Sequence, residues 1–229
     1  MRSQIARYDA HAEWYDETFS VRLNEEEESF LRECLASGDG EICLDVACGT
    51  GRYGRVLADA GYRAVGFDIS ADQLRFARRR LGAACRADAR YLPVRDASVA
   101  VAAGMFFHTD VEDFAAVVRD VARCLRPGGC FVYLGLHPCF VGPFVNRMTE
   151  REDLRLSFTV GYGNVGWANR GSGDGSMIGG RVGFHHKTLA SFFGAFAPAG
   201  LSIRLVREFT ADAQSILPWD IAVAAERSH

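Results

Sequence analysis

Apolar and polar residues alternate along the chain with two different spacings. Short runs rich in β-branched and aromatic residues predict five strands, at 42–47, 63–68, 84–88, 98–106 and 130–136. Between them, apolar residues recur at helical spacing and predict helices at 52–62, 70–81 and 110–126. Strands and helices alternate along the chain and are joined by short loops, which is typical of parallel βαβ units. We therefore predict an α/β fold. Its sheet is doubly wound and mainly parallel, with helices on both faces.

The pattern changes near the C-terminus. Residues 187–200 predict a helix, and residues 201–209 and 219–226 predict two further strands. The connection between these strands runs over nine residues, from Thr210 to Pro218, which is too short for a helical crossover. We therefore predict that the last two strands pair antiparallel and complete a seven-stranded, Rossmann-like sheet.

We expect one domain over residues 1–229. Asn24 is the predicted N-cap of a helix that begins with four glutamates. The stretch before the C-terminal helix is irregular and rich in Gly, Asn and Ser, which is typical of a variable insertion. The parts of the domain are a partly helical segment at 1–37, a strand–helix core at 38–136, the insertion at 137–186, and the helix with its strand pair at 187–229.

The composition is that of an ordinary globular protein. Hydrophobic residues make up 48% and charged residues 24%, which excludes a disordered chain. The net charge of −3 provides no positive field for a phosphate backbone, so we expect neither a nucleic-acid nor a membrane partner. Of the 26 basic residues, Lys187 is the single lysine, a bias typical of a high-GC bacterial genome.

The cysteines and the N-terminal residues indicate a compartment. The seven cysteines form no C-x-x-C pair and lie in apolar runs, which is typical of buried thiols in a reducing environment. The first residues lack an apolar signal core, and no run of 18 apolar residues occurs. We expect a soluble cytoplasmic protein.

A glycine-rich turn follows the first predicted strand. Gly49, Gly51 and Gly54 satisfy G-x-G-x-x-G, and Asp68 ends the second strand 19 residues after Gly49. Glycine lets a ligand approach the backbone, and a carboxylate at the position of Asp68 accepts the hydroxyls of an adenosine ribose. Taken alone, this fingerprint predicts a nicotinamide-dependent dehydrogenase, although Gly54 is better explained as a packing residue in the helix.

Three features argue against the dehydrogenase. Asp45 lies inside the strand four residues before Gly49, where it repels a pyrophosphate and attracts an ammonium group. Asp88 and Ala89 follow the third strand, where a carboxylate accepts from an adenine amino group. The sheet ends in an antiparallel pair instead of a second mononucleotide-binding half.

With these residues the chain resembles the class I S-adenosylmethionine-dependent methyltransferases, in particular the branch that acts on small molecules. DVACGTG at 45–51 is similar to the first motif of that family, and LRPGGCFVY at 125–133 is similar to its loop and fifth strand. The resemblance implies that S-adenosylmethionine is the cofactor. It also implies a lid formed by the N-terminal helix and the 137–186 insertion, with Tyr8 or Tyr15 near the methionine carboxylate. The implied cofactor-binding residues are Tyr15, Asp45, Ala47, Gly49, Thr50, Gly51, Asp68, Ile69, Asp88, Ala89, Met105 and Phe106.

The methyl acceptor is predicted to bind beyond strands four and five, within reach of the insertion. His108, His137 and His186 (which with His185 opens the predicted C-terminal helix) are candidates to orient or deprotonate it, or else are structural histidines. Four aromatic residues either form an apolar wall for the acceptor or pack as a small core: Phe140, Phe144, Tyr162 and Trp167.

The absence of two motifs narrows the range of possible methyl acceptors. The fourth strand lacks the Asn/Asp-Pro-Pro-aromatic motif of methylators of nucleic-acid bases, and no Asp/Asn cluster for magnesium follows it. We expect a metal-independent methyl transfer to a small organic metabolite, with O-methylation favoured over N- or C-methylation. A homodimer is left open. Two alternatives remain: a methyltransferase-like protein that binds the cofactor but catalyses another reaction or serves as a partner subunit, and a nicotinamide-dependent oxidoreductase.

Overall fold

The computed structural model describes residues 6–19, 24–142, 145–150, 153–158, 161–168, 178–210 and 217–229. The strands are β1 Ile42–Val46, β2 Arg63–Asp68, β3 Ala83–Arg86, β4 Val99–Met105, β5 Leu125–Leu136, β6 Val145–Glu150, β7 Asp153–Phe158, β8 Gly166–Ala168, β9 Phe184–His186, β10 Leu201–Thr210 and β11 Pro218–Arg227. The helices are α1 Ala12–Thr18, α2 Glu25–Leu35, α3 Gly54–Asp59, α4 Ala71–Arg80, α5 Phe114–Cys124, α6 Ile178–Val182 and α7 Leu189–Phe193, with a 3₁₀ turn at Ala197–Ala199. Within these ranges, no helix is long and apolar enough to cross a membrane.

The main sheet has seven strands in the order β10-β11-β5-β4-β1-β2-β3. Strands β3, β2, β1, β4 and β5 are parallel, whereas β11 pairs antiparallel with β5 and β10 antiparallel with β11. This confirms the predicted fold class, including the antiparallel pair at the C-terminal end. The strand order reverses between β1 and β4, so the carboxyl ends of these strands form the crevice in which open α/β sheets bind ligands.

Side chains on β5 show how the sheet is covered on both faces. Phe131 and Tyr133 point to the face covered by α5 and α7, while Val132 and Leu134 point to the face covered by α2 and α3. All four side chains are buried. The alternation follows from the two-residue period of a strand, and it confirms the prediction of helices on both faces.

Helix α5 begins later than the sequence predicted. Its N-cap is Asp113, whose Oδ1 accepts the Ala116 N–H at 2.9 Å, and the prediction of a start at 110 was wrong. The chain before it makes a turn instead, in which the Asp110 N–H donates to the carbonyl of Phe107. His185 donates its backbone N–H to the Thr109 carbonyl at 2.7 Å. The carbonyls of this turn are therefore used in contacts with a distant segment instead of helical bonds.

The boundaries near the C-terminal helix also differ from the prediction. His185 and His186 do not open a helix; they lie in β9, where His186 pairs with Gly166 of β8. Helix α7 begins at Leu189 because the side chain of Thr188 caps it by accepting the Ser191 N–H at 3.1 Å. A Thr N-cap is a strong local signal, and here it sets the helix start three residues beyond His186.

Helix α2 begins with the predicted cap. Asn24 Oδ1 accepts the Glu27 N–H at 2.8 Å, and Glu27 Oε2 accepts the Asn24 N–H at 2.9 Å. We expect Asn24→Ala to lower the free energy of unfolding by about 1 kcal/mol, because one helical N–H loses its partner. Urea unfolding measures the change. Asn24→Ser keeps an acceptor and should stay close to the wild type; an equal loss in both variants would contradict the capping explanation.

Candidate cofactor site

The glycine-rich turn after β1 has the backbone that only glycine adopts without strain. Gly49 and Gly51 have φ of +56° and +73°. A Cβ on Gly49 would lie 2.6 Å from Gln73 Oε1, and one on Gly51 would lie 2.9 Å from Ala77 Cα. The positive φ at both positions and the backbone contact at Gly51 therefore disfavour any other residue. Gly54 lies against the side chain of Leu81, as expected of a packing residue.

Asp68 connects the end of β2 to this turn. Its Oδ2 accepts the Gly49 N–H at 2.9 Å, and its Oδ1 accepts the Ser70 N–H at 2.8 Å. Burial raises the pKa of Asp68, and these two backbone N–H groups oppose that rise. The carboxylate is thus held in one orientation beside the glycine turn, with lone pairs left to accept further hydrogen bonds.

Asp45 is buried in the middle of the sheet. It is 1% exposed, and among the described residues its Oδ2 has no hydrogen-bond partner. Burial raises the pKa of Asp45 to about 7, with a smaller contribution from the negative charge of Asp68. A buried, unsatisfied carboxylate oxygen is costly and is typical of a functional site.

A cavity of about 750 Å³, counted with its open mouth, lies at the carboxyl ends of β1, β2 and β4. Ala47 and Phe106, at the ends of β1 and β4, have φ of +55° and +57°. Left-handed backbone at non-glycine residues is strained and concentrates at functional sites. Eight predicted cofactor residues line the cavity: Tyr15, Ala47, Gly49, Asp68, Ile69, Ala89, Met105 and Phe106.

The other four predicted cofactor residues are not on the wall of this cavity. Asp45 lies in β1, Thr50 and Gly51 lie in the glycine turn, and all three are buried. Asp88 faces its neighbour Arg90 instead, with Nε–Oδ1 and Nη2–Oδ2 distances of 3.0 and 2.6 Å. Burial would raise the pKa of Asp88, but the hydrogen bonds from Arg90 hold it below its usual value. Asp88 can therefore contact an adenine only if its carboxylate accepts a further hydrogen bond beside those from Arg90, or gives up the ion pair with Arg90.

Two arginines at the cavity were not predicted. The Arg52 guanidinium lies 4.9 and 4.8 Å from the ring centres of Tyr15 and Tyr53 and donates to the Phe19 carbonyl. Arg7 lies 3.7 Å over the ring of Trp167. Arg52 follows the glycine turn directly, so its position in the sequence was a usable signal. Arg7 could not be found in this way, because only the fold brings it to the cavity.

The N-terminal segment, residues 6–18, lies over the same edge of the sheet. The Tyr8 hydroxyl donates to Asp110 Oδ1 at 3.1 Å, and Asp9 Oδ1 accepts from the Ser70 hydroxyl at 2.7 Å. Asp16 accepts from Arg80 of α4, with an Oδ2–Nη2 distance of 2.8 Å. These bonds hold the segment against the turns that follow β2 and β4. Tyr8, Tyr15 and Arg7 thereby become part of the cavity wall.

The three candidate histidines have protein partners and are not on the cavity wall. His108 Nδ1 is 2.6 Å from the Tyr133 hydroxyl in an aromatic core, where burial holds its pKa well below the usual value. His137 Nε2 is 2.7 Å from Glu208 Oε1. His186 Nε2 is 2.7 Å from the Tyr162 carbonyl, and burial lowers its pKa. In this structure each histidine is hydrogen-bonded within the protein, and its role toward the acceptor stays a prediction.

The aromatic residues of the insertion also pack locally. Phe140 stacks on His137, with ring centres 4.6 Å apart, and Trp167 contacts His185 edge-on at 5.2 Å. Tyr162 contacts Cys139, with an Oη–Sγ distance of 3.5 Å. Phe144 lies outside the described residues. The described members thus match the small-core alternative more closely than a wall of this cavity.

Comparison with known proteins finds a family match over part of the chain. Residues 43–129 match a family described as a methyltransferase domain. A demethylmenaquinone methyltransferase from Mycobacterium sp. (strain KMS) is 34% identical over 128 residues, which cover 55% of this chain and 56% of that protein. The chain thus spans little more than half the length of this relative.

Solved structures extend the comparison over most of the chain. An S-adenosylmethionine-dependent methyltransferase from Mesorhizobium loti is 25% identical, with a TM-score of 0.74, over 89% of this chain and 99% of that one. The [4+2]-cyclase SpnF, 16% identical with a TM-score of 0.60 over 89% of this chain and 80% of that one, shares the fold alone. Together with the glycine turn, Asp68 and the strand order, these matches show a methyltransferase domain at residues 43–129 and, over most of the chain, the fold of the S-adenosylmethionine-dependent methyltransferases.

Proposed function

We propose that this protein transfers the methyl group of S-adenosylmethionine to a small organic metabolite in the bacterial cytoplasm. O-methylation without a metal ion is the favoured reaction. No nucleic acid or membrane takes part in this proposal, and a homodimer is compatible with it. The observation that carries the proposal is the cavity at the carboxyl ends of β1, β2 and β4, in which Asp68 is fixed beside a glycine turn that disfavours side chains.

The cavity wall fits the parts of this cofactor. Asp68 presents a carboxylate suited to two ribose hydroxyls, and Ile69 and Ala89 present apolar surface beside it, suited to an adenine ring. Arg52, between two tyrosine rings, supplies a cation for the methionine carboxylate. The buried Asp45 carboxylate favours a ligand that carries positive charge.

The cavity residues can orient the reactants and exclude water, which are the requirements of methyl transfer that the cofactor itself does not meet. When bound, S-adenosylmethionine supplies a methyl group on a positively charged sulfur, which is already a good leaving group. The protein therefore has to orient the donor and the acceptor and exclude water. Asp68 and Arg52 orient the two ends of the donor, and Met105 and Phe106 fix the wall between them. Tyr8 and Tyr15, on the N-terminal segment, shield the cavity from solvent.

The relatives support a small organic acceptor. The similar Mycobacterium proteins are demethylmenaquinone methyltransferases, whose names specify a small-molecule substrate. The net charge of −3 offers no field for a polyanion. The cyclase SpnF has the same fold, but its name specifies a different reaction. Because one fold can serve several reactions, cofactor binding and methyl transfer have to be tested separately.

The first test is a thermal-shift titration with S-adenosylmethionine, S-adenosylhomocysteine and the nicotinamide dinucleotides in parallel. A ligand at about 100 times its dissociation constant stabilises the fold by about 2.7 kcal/mol. For a domain of this size that raises Tm by about 5–10 °C. We expect this shift from the two adenosyl compounds alone. A shift with a nicotinamide dinucleotide alone would overturn the proposal in favour of an oxidoreductase.

Transfer itself is tested with methyl-labelled S-adenosylmethionine and small-molecule extracts of the source bacterium. We expect label in an organic-soluble product, formed equally with and without a metal chelator. Binding of the cofactor without any labelled product would favour the alternative of a protein that uses the same cavity for another reaction or as a partner subunit.

A further inference from the structure

Asp110 is a carboxylate on the cavity wall that the cofactor motifs do not include. It follows β4 and lines the cavity together with Asp68 and Phe106. Its Oδ1 accepts the Tyr8 hydroxyl at 3.1 Å. Because β1 lies between β2 and β4 in the sheet, Asp68 and Asp110 approach the glycine turn from its two sides. Both carboxylates therefore lie on the wall of the same cavity.

The backbone around Asp110 is fixed by the single lysine of the chain. Lys187 is 4% exposed, and its ammonium group donates to the His108 carbonyl at 2.9 Å and to the Val111 carbonyl. It also donates to His185 Nδ1 at 2.8 Å; burial lowers the pKa of His185 to about 4, so this ring is a neutral acceptor. The turn is therefore held on both sides of Asp110, and the carboxylate has a defined position on the wall.

The charge of Asp110 depends on what occupies the cavity. Burial raises its pKa to about 7; the hydrogen bond from Tyr8 opposes this rise, and the negative charge of Asp68 adds to it. A cation bound in the cavity would lower the pKa again. The charged and titratable groups that face Asp110 are Arg7, Tyr8 and Tyr15 of the N-terminal segment, Asp68 after β2, Tyr133 of β5, and Lys187 after β9.

We propose that Asp110, held by Tyr8 and the Lys187-bound turn, recognises the positive charge of the donor sulfur and so contributes more to the binding of S-adenosylmethionine than to that of S-adenosylhomocysteine. This inference rests on the proposed function. In methyl transfer the carbon–sulfur bond breaks, its electron pair stays on sulfur, and the methyl carbon bonds to the acceptor. The donor sulfur thereby becomes neutral and is no longer attracted by the carboxylate of Asp110.

Calorimetric titration of the full chain tests the assignment without an acceptor. The ligands are S-adenosylmethionine, S-adenosylhomocysteine and sinefungin, in which an amine that can carry positive charge replaces the sulfonium. At about pH 8 we expect Asp110→Asn to weaken binding of the two cationic ligands about tenfold or more, and of S-adenosylhomocysteine by less than about threefold. Asp113→Asn is the matched control: it removes a charge three residues away from an exposed position and keeps an N-cap acceptor, so all three affinities should stay near the wild-type values.

The pH dependence gives a second readout. Because the pKa of Asp110 is raised to about 7 and a cation lowers it, the wild-type affinity for S-adenosylmethionine should fall as the pH drops through about 7. Binding below that pH should release a proton, seen as a buffer-dependent heat. Burial also brings the pKa values of Asp45 and Lys187 to about 7, so the pH dependence is compared between the wild type and Asp110→Asn. The difference between them should be present with S-adenosylmethionine and small with S-adenosylhomocysteine.

The outcomes distinguish a failure of the charge recognition from a failure of the proposed function. Equal loss for the charged and the neutral ligand in Asp110→Asn, or no loss for either, would overturn the charge recognition and leave the proposed function standing. If the wild type binds none of the three ligands, the proposed function fails and the inference fails with it. Asp110→Ser serves as a second neutral variant if Asp110→Asn does not fold.

Discussion

Replacing Asp68 by alanine is expected to lower the affinity for S-adenosylmethionine by about ten- to a hundredfold, equivalent to about 1.5–3 kcal/mol for lost hydrogen bonds to a charged group. The structure adds a second reason for a large effect. The same carboxylate accepts the backbone N–H groups of Gly49 and Ser70, so its removal also releases the glycine turn. Calorimetric titration with S-adenosylmethionine and S-adenosylhomocysteine measures the loss, which should be similar for both ligands because they share the ribose.

Two further variants separate the direct contact from the effect on the turn. Asp68→Asn keeps one oxygen that accepts from a backbone N–H, so the turn should survive better than in Asp68→Ala while the ribose contact is weakened. Asp59→Ala, an exposed position on α3, is the control and should leave the affinity unchanged. Wild-type affinity in Asp68→Ala would refute the assignment of this residue to the ribose.

The largest loss of stability is expected from Phe192→Ala. Phe192 is completely buried and stacks on Phe114, with ring centres 5.1 Å apart. It also contacts His108 and Tyr133, each at 5.3 Å between ring centres. Truncating a buried phenylalanine costs about 3–5 kcal/mol, since a cavity replaces these contacts. For a domain of this size, Tm should fall by about 10 °C.

Differential scanning calorimetry with the neighbouring variant Phe193→Ala tests the explanation. Phe193 lies on the same short helix but is only partly buried, so its truncation should cost much less. Because Phe192 contacts His108 beside the turn that carries Asp110, we also expect weaker cofactor binding in Phe192→Ala. Equal losses of stability in the two variants would show that the helix, and not the aromatic cluster, is what the substitution disturbs.

The candidate histidines illustrate the difference between a residue type and its position. Their pKa and their place after strands four and five made them plausible bases, yet His108, His137 and His186 donate to or accept from protein groups away from the cavity. A second carboxylate on the wall besides Asp68, Asp110, was assigned to the first turn of a helix. Its true position follows from the later start of α5, which the cap at Asp113 sets.

The part of the cavity formed by β1, the glycine turn and β2 could be predicted from the sequence, because it depends on residues that are close together in the chain. The strand pattern, the glycines of the turn, and an acid at the end of the second strand are all encoded within residues 42–68. The backbone of a glycine turn and the two-residue period of a strand depend on neighbouring residues, and parallel strands place their carboxyl ends on one edge. Predicting Asp68 at the cavity needed no more than this.

The rest of the cavity was decided by the tertiary structure, since it depends on contacts between distant parts of the chain. Tyr8 reaches Asp110 across 102 positions, and Lys187 reaches the His108 carbonyl across 79. The sequence by itself determined the fold class, the glycine turn and the position of Asp68 at the end of the second strand. The tertiary structure decided that Arg7 and a second carboxylate, Asp110, complete the wall, because their approach is set by packing and not by spacing along the chain.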